Sequence, residues 1–307
     1  MHVANFDELI QQVKQQNLKE GGKRKVAVMC ADDEEVLSAL VEARDNNVAD
    51  AILVGNKENI LKVAKETKLD ISGMEIIDEK EVGRIGEICT QLVNSGKASV
   101  MMKGLVGTAD YMKAILNKEK GLRSGKFLSH VALFDLPTYH KFLCVTDAAV
   151  VVRPNLDEKV GLIQNAAGLM QKLGVKKPKV AAICAVETVN PERMPATVDA
   201  QKLSEMAKAG KLGDVYVDGP FAFDVAISKH AAKVKKLDKL DVAGDADVIL
   251  ADDIESANML YKCLCNLGQG KSAAIVAGAK APIVLTSRSD SHQSKYLSIA
   301  LAIASSY

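Results

Sequence analysis

The chain has 307 residues, of which 48% are hydrophobic and 26% are charged, proportions typical of a globular protein with one large or two ordinary domains. Its formal net charge of +1 and its aromatic content of 4%, with no Trp, argue against binding to nucleic acid or to acidic membranes. The start of the chain is charged from Asp7 onward and lacks the apolar core of a signal peptide, and no later run reaches membrane-spanning length. We therefore expect a cytoplasmic protein.

Short oily runs alternate along the chain with amphipathic segments of helical length. The runs that predict strands are, in chain order, KVAVMCA, AILVG, SVMMKG, VALFDL, KFLCVTD, KVAAICAVE, VYVDG, ADVILADD and PIVLTS. Strands that are apolar throughout and are separated by helices indicate mostly parallel sheets covered on both faces. Between Leu136 and Lys141 the connection is a short Pro-containing turn with no helix, which predicts either a hairpin or a domain crossover.

Two other features have simple explanations. The six cysteines lie in apolar runs without a disulfide or metal-binding framework, so core packing explains them best. The segment CNLGQGKS, which begins at Cys265, approximates a phosphate-binding P-loop, but it follows residues of helical pattern where the P-loop requires a strand. A nucleotide triphosphatase is therefore not expected.

The segment PIVLTSRSDSHQSK changes abruptly from an apolar strand to a polar cluster just before the last helix. In open α/β sheets this junction is a common ligand site, because backbone N–H groups and the helix dipole favour an anion. The serines and Asp290 also fit a plain capping role, with Ser291 or Ser289 as the N-cap. Arg288 does not fit that role, because a cation at a helix N-terminus is unfavourable unless an anion accompanies it. The cluster therefore suggests an anionic ligand.

A second polar junction follows the predicted strand SVMMKG. Lys103 offers a positive charge there, Gly104 and Gly107 allow close backbone approach, and Thr108 is a candidate N-cap of the next helix.

A third junction has Asp147 directly after a strand and Arg153 before a capped helix. Each of these last two junctions, taken singly, is also compatible with a structural turn. Together with Arg288 they give three cationic strand-end positions, which favours a cleft for a multiply anionic substrate.

Six longer segments, taken together and in their order along the chain, carry a resemblance to a known protein family. They are MKGLVGTADYM, VTDAAVVVRPNLDEKV, NPERMPATVDAQKLSEMA, DGPFAFDVAISKHAA, GDADVILADDIESANMLYK and LTSRSDS. The chain resembles the phosphate acetyl- and butyryltransferase family over nearly its whole length, and the segment GPFAFD makes it most similar to the butyryl branch.

This resemblance implies an α/β protein of two domains with mostly parallel sheets, an isocitrate/isopropylmalate dehydrogenase-like fold and an interdomain cleft. The expected first domain is 1–135 plus 282–307, and the second is 136–281. The implied reaction converts butyryl-CoA and phosphate into butyryl phosphate and CoA, with acetyl-CoA as the alternative acyl donor. The resemblance implies coenzyme A as a substrate, no cofactor and no metal, and a homodimer or higher homo-oligomer as the assembly.

The family's Ser-Arg pair corresponds to Ser287 and Arg288. By this resemblance Arg288 grips the phosphoryl group with its planar fork, and Ser287 hydrogen-bonds near the thioester sulfur or carbonyl. Acetyltransferase relatives carry an aspartate seven residues after that serine, where this chain has Ser294. Asp290 is the only carboxylate in the stretch, so it is either the base for the thiol or a capping residue.

Two other classes stay open. A metal- and nucleotide-dependent dehydrogenase would need clustered aspartates, and Asp252 with Asp253 is the nearest match. A non-catalytic anion-binding protein is the other class. No local histidine pairing marks any cysteine as a nucleophile, so we expect direct transfer in a ternary complex.

Overall fold

The computed structural model describes residues 3–287 and 290–307, and the chain folds into two compact units. The first unit comprises 6–126 and 273–307, and the second is 127–272 together with the N-terminal residues up to Asn5. The crossovers expected at 135/136 and 281/282 differ from these boundaries. The first difference has a reason in hydrogen bonding: β5 (Ser129–Asp135) pairs with β6 (Leu143–Thr146) and so stays with the second unit.

The first unit is built on one region of sheet flanked by helices. Its strands are β1 (Lys25–Met29), β2 (Asp50–Gly55), β3 (Glu75–Asp78), β4 (Val100–Lys103), β11 (Ile283–Val284) and β10 (Lys271–Ala277), of which residues 273–277 fall in this unit. Its helices are α1 (Phe6–Glu20), α2 (Glu34–Asp45), α3 (Lys57–Glu66), α4 (Val82–Asn94), α5 (Thr108–Leu116) and α11 (His292–Ser305). The strand order is β3, β2, β1, β4, β11, β10. All neighbouring pairs are parallel except that of β10 with β11, which is antiparallel.

The second unit has the same kind of architecture. Besides β5 and β6, its strands are β7 (Lys179–Ile183), β8 (Tyr216–Phe221) and β9 (Val248–Leu250). Its helices are α6 (Leu156–Lys172), α7 (Ala196–Lys208), α8 (Phe223–Ile227), α9 (Lys229–Val234) and α10 (Ile254–Leu267). The strand order is β5, β6, β9, β7, β8, again parallel except for one pair, β5 with β6. Of the two alternatives predicted between Leu136 and Lys141, a hairpin or a domain crossover, that antiparallel pair shows the hairpin.

Local sequence explains where most of these elements begin. The Asp33 carboxylate caps α2 by accepting the Val36 N–H, and Asn155 and Glu158 form a reciprocal capping box at α6. The last helix, α11, has buried residues on nearly every side and contacts α1, α2 and β11. A helix that is buried on nearly every side lies in the interior of its unit, whereas a helix with a single apolar face lies at the surface.

Two strands were not expected from the sequence. β3 is mostly exposed and has the sequence EIID, so it lacks an apolar run. β10 follows the glycine-containing segment from Gly268 to Gly270, its residues 272–276 are buried, and it pairs antiparallel with β11. Among the helices of the described ranges, none has both the length and the apolar character needed to cross a membrane.

Candidate active site

Two of the polar junctions lie side by side in the first unit. β4 and β11 are neighbouring parallel strands, with Met101 paired to Ile283 and Met102 paired to Val284. The loops that follow these strands therefore leave the sheet at the same carboxyl edge. The site loop, defined here by its described residues 285–287 and 290–291, thus begins beside the Lys103–Gly107 loop, although the two are far apart in the sequence.

Tyr111 ties these two strands together. Its buried hydroxyl lies 3.1 Å from the Met101 carbonyl oxygen and 3.3 Å from the Val284 carbonyl oxygen, one on each strand. Burial raises the pKa of Tyr111 well above its usual range, so the hydroxyl stays protonated and available as a donor. No local sequence pattern marks Tyr111, because its role depends on contact with a strand 173 positions away.

Lys103 ends β4 and is only 6% exposed. Its ammonium contributes to the electrostatics of the Cys30 thiol, as do the carboxylates of Asp32 and Asp110. Burial, reinforced by those two carboxylates, raises the pKa of Cys30 to about 11 in spite of Lys103. The Lys103 ammonium lies 3.4 Å from the Gly104 carbonyl oxygen, in surroundings that also contain acidic groups, and its role in substrate binding stays a prediction.

Gly104 lies against the end of β1 with no room for a side chain. A Cβ atom built there would be 2.1 Å from the Cys30 carbonyl oxygen and 2.8 Å from that of Met29. The loop is held by hydrogen bonds from the Gly104 N–H to Met29 O, 2.9 Å, and from the Leu105 N–H to Cys30 O, 2.7 Å. The glycine predicted for close backbone approach thus approaches the protein's own β1.

The cap of the next helix lies one residue earlier than expected. Gly107 is the N-cap of α5 and Thr108 is the first helical residue, so the prediction of Thr108 as the N-cap is wrong. Gly107 makes no side-chain cap, which leaves N–H groups at this end of α5 without a capping side chain. Such groups favour an anion at the same edge of the sheet.

The site loop is fastened by its own side chains. The Asp290 carboxylate accepts the Ser287 N–H at 2.8 Å, and the Asp290 N–H donates to the Ser287 carbonyl at 3.1 Å. Ser291 is the N-cap of α11, as predicted, and accepts the Ser294 N–H. Arg288, the residue on which the anion hypothesis mainly depends, lies outside the described residues together with Ser289.

The third junction belongs to the second unit. Asp147 is buried, and both of its carboxylate oxygens are used: one accepts the His130 N–H at 2.7 Å, and the other accepts the N–H groups of Ala149 and Val150 at 2.9 and 2.8 Å. This geometry favours the structural-turn alternative for Asp147. Arg153 is exposed and precedes the capped helix α6, as the sequence predicted.

The aspartates considered for a metal-dependent dehydrogenase have other partners in the protein. Asp252 and Asp199 both bind the ammonium of Lys159, which is buried, at 2.5 and 2.8 Å. Asp253 is the N-cap of α10 and accepts the Ser256 N–H at 2.9 Å. The pair therefore serves an ion-pair cluster and a helix cap in the second unit.

The fold and the two adjoining loops are typical of an α/β enzyme that binds an anion at the carboxyl edge of a parallel sheet. Comparison with known proteins gives the family. The phosphate acetyl/butaryl transferase family matches residues 6–92 and 86–303, so the chain belongs to this family and is an acyltransferase that uses phosphate.

Named relatives and a solved structure agree. The phosphate butyryltransferase of Clostridium beijerinckii is 46% identical to this chain, over 97% of this chain and 96% of its own length. That of Clostridium acetobutylicum is 43% identical, over 98% of this chain and 97% of its own length. A branched-chain phosphotransacylase from Enterococcus faecalis is 30% identical, with a TM-score of 0.82 over 92% of this chain and 99% of that one.

Proposed function

We propose that the protein transfers a butyryl group between coenzyme A and phosphate, by the reaction butyryl-CoA plus phosphate giving butyryl phosphate plus CoA. The observation that carries this proposal is the adjacency of β4 and β11, which places the Lys103–Gly107 loop beside the site loop. The high identity to relatives named phosphate butyryltransferase supports butyryl over acetyl as the acyl group.

The proposed roles follow the family resemblance. Arg288 holds the phosphoryl group in a bidentate contact, and Lys103 adds positive charge from the neighbouring strand. Ser287 hydrogen-bonds to the thioester at the reacting centre. Arg153, which precedes α6 in the second unit, is proposed to bind an anionic part of the substrate. Fixed charges and donors of this kind act mainly by positioning two anionic reactants and by stabilising the charge that develops during transfer.

We propose direct transfer, in which a phosphate oxygen attacks the thioester carbonyl, the C–S bond breaks, and the CoA sulfur leaves and takes up a proton. Four of the six cysteines support this mechanism, because burial raises the pKa of Cys30 and of Cys184 to about 11 and that of Cys89 and Cys144 further. A thiol with so high a pKa is a poor nucleophile at neutral pH. The proton acceptor for the reverse reaction stays a prediction: Asp290 is the candidate, and its carboxylate already accepts the Ser287 N–H.

Thiol release with and without phosphate tests the proposed reaction directly. The assay would compare acetyl-, propionyl- and butyryl-CoA. Two buried methylenes are worth about 0.8 kcal/mol each, so a fully apolar pocket would prefer butyryl over acetyl by about fifteenfold in kcat/KM. A clear excess of acetyl-CoA turnover would contradict the proposed substrate, and thiol release independent of phosphate would contradict the reaction.

Isotope exchange tests the absence of an acyl-enzyme. In direct transfer, labelled CoA enters butyryl-CoA only when phosphate is present, whereas an acyl-enzyme would exchange label without phosphate. Appreciable phosphate-free exchange would therefore refute the ternary mechanism.

Substitution of Arg288 tests the anion site. Loss of a charge-assisted hydrogen bond costs on the order of 1.5 to 3 kcal/mol, so Arg288→Ala should lower phosphate-dependent turnover tenfold to a hundredfold, and Arg288→Lys should restore only part of it. Wild-type kinetics in both folded variants would mean that the segment is only a helix cap.

We also propose that the assembly is a homodimer and that α10 lies in its interface. Met259, Cys263 and Leu267 are spaced four residues apart on this helix and are all exposed, Met259 by 72% and Leu267 by 76%. The expectation that all six cysteines pack in the core is therefore wrong for Cys263.

Two copies of α10 that pack antiparallel about Cys263 would place Met259 against Leu267, which is the self-complementary pattern of a twofold interface. Cross-linking through Cys263, lost in Cys263→Ser, would support this arrangement, and a monomer by light scattering would refute it.

A further inference from the structure

Lys295 occupies an unfavourable position for a charged side chain. It is the fourth residue of α11, near the positive end of the helix dipole, and it is only 4% exposed. An ammonium is destabilised both by burial and by a helix N-terminus, and an apolar side chain of similar length would avoid both effects. The sequence gives little sign of this, because Lys295 simply precedes an apolar run.

The Lys295 ammonium is directed at the site loop. Its Nζ donates to the Asp290 carbonyl oxygen at 2.5 Å. Asp290 is in turn joined to Ser287 by two hydrogen bonds, one from each direction. A hydrogen bond from a charged donor is shorter and stronger than one between neutral groups. Lys295 therefore fixes the residue that fixes Ser287.

The serines of α11 make contacts of a different kind. The Ser294 N–H donates to the Ser291 hydroxyl at the start of the helix, and the Ser298 hydroxyl donates to the Ser294 carbonyl and accepts an N–H from β10. These contacts shape the helix terminus and its packing against the sheet. The contact of Lys295 differs from them because it reaches past the N-cap to Asp290, the residue that is hydrogen-bonded to Ser287.

We propose that Lys295 is a positioning residue for acyl transfer, which holds the site loop so that Ser287 meets the thioester and which does not itself touch the substrate. This inference rests on the function proposed above. A displacement of about 1 Å at a reacting centre can lower a rate a hundredfold, so the contact is important for catalysis even though it lies outside the reacting atoms.

The variant Lys295→Met separates positioning from simple structural support. Methionine fills similar space without a buried charge at a helix N-terminus, so we expect the urea midpoint to stay the same or to rise. We expect kcat to fall at least tenfold, with a smaller change in KM for phosphate, because the groups proposed to bind phosphate remain. Lys65→Met, at an exposed position on α3, is the matched control and should change neither quantity.

Chemical rescue gives a second, independent measurement. Lys295→Ala removes three methylenes and the ammonium, which propylammonium can replace. We expect propylammonium to restore part of kcat in Lys295→Ala, whereas tetramethylammonium, a cation with no N–H donor, should not.

The outcomes are distinguishable. If the wild type releases no CoA with butyryl-CoA and phosphate, the proposed function itself is overturned. If the wild type is active and Lys295→Met keeps its kcat, the inference alone is overturned. If Lys295→Met loses activity only in proportion to lost stability, and propylammonium restores nothing in Lys295→Ala, Lys295 is a structural residue and the inference is wrong.

Discussion

Gly104→Ala should disturb the candidate site through packing alone. The added Cβ would lie 2.1 Å from the Cys30 carbonyl oxygen, where an ordinary contact begins near 3.4 Å. Either the loop or the end of β1 must then move by more than about 1 Å, since both sides of the contact are backbone. That movement would stretch the hydrogen bonds from Gly104 to Met29 and from Leu105 to Cys30.

The magnitude follows from these contacts. Overpacking typically costs about 1 to 3 kcal/mol, and each weakened hydrogen bond about 0.5 to 1.5 kcal/mol. We therefore expect Gly104→Ala to lower the free energy of unfolding by about 2 to 6 kcal/mol. Turnover should fall as well, because Lys103 is displaced with the loop.

Gly107→Ala is the matched control for stability. Gly107 has a φ of −63° and a ψ of 142°, which alanine adopts freely, and a Cβ there would lie 3.5 Å from the Asp110 carboxylate. Alanine is a poorer N-cap than glycine, so we expect Gly107→Ala to lie within about 1 kcal/mol of the wild type in urea denaturation and to be clearly less destabilised than Gly104→Ala. Equal midpoints for Gly104→Ala and the wild type would refute the packing argument.

Three further predictions concern the second unit. Asp147→Asn places an amide N–H group against the His130 N–H, so we expect the free energy of unfolding, measured by urea denaturation, to fall by about 1 to 3 kcal/mol. An unchanged midpoint would contradict the role of Asp147 as a buried acceptor. Lys159→Met removes the ammonium that pairs with the partly exposed Asp252 carboxylate. We expect the free energy of unfolding to fall by roughly 2 kcal/mol, between the values for buried and surface ion pairs, and a stabilised variant would disprove this. Burial alone would raise the pKa of the Asp245 carboxyl, but hydrogen bonds from two lysines lower it from 3.8 to about 2. The stability that Asp245 contributes is therefore complete above about pH 4 and lost as the pH falls towards 2, so Asp245→Asn should differ from the wild type less and less across that window, and a constant difference would exclude this linkage.

Local patterns in the sequence determined most of the elements. The apolar runs that predicted β1, β2 and β4 form those strands. Asn155 caps α6 and Ser291 caps α11. Strand ends and helix caps depend on residues within about four positions of each other, so a single sequence contains the information. The two loops of the candidate site were found for the same reason.

Contacts between distant segments were decided only by the tertiary structure. The sequence does not specify that β11 lies beside β4, or that the Tyr111 hydroxyl joins them, because these segments are far apart along the chain. β3 was missed because its strand is stabilised by pairing with β2 and carries no apolar run. The same holds for Lys295, whose burial and whose contact with Asp290 arise from the packing of α11 into the first unit and not from any pattern around it.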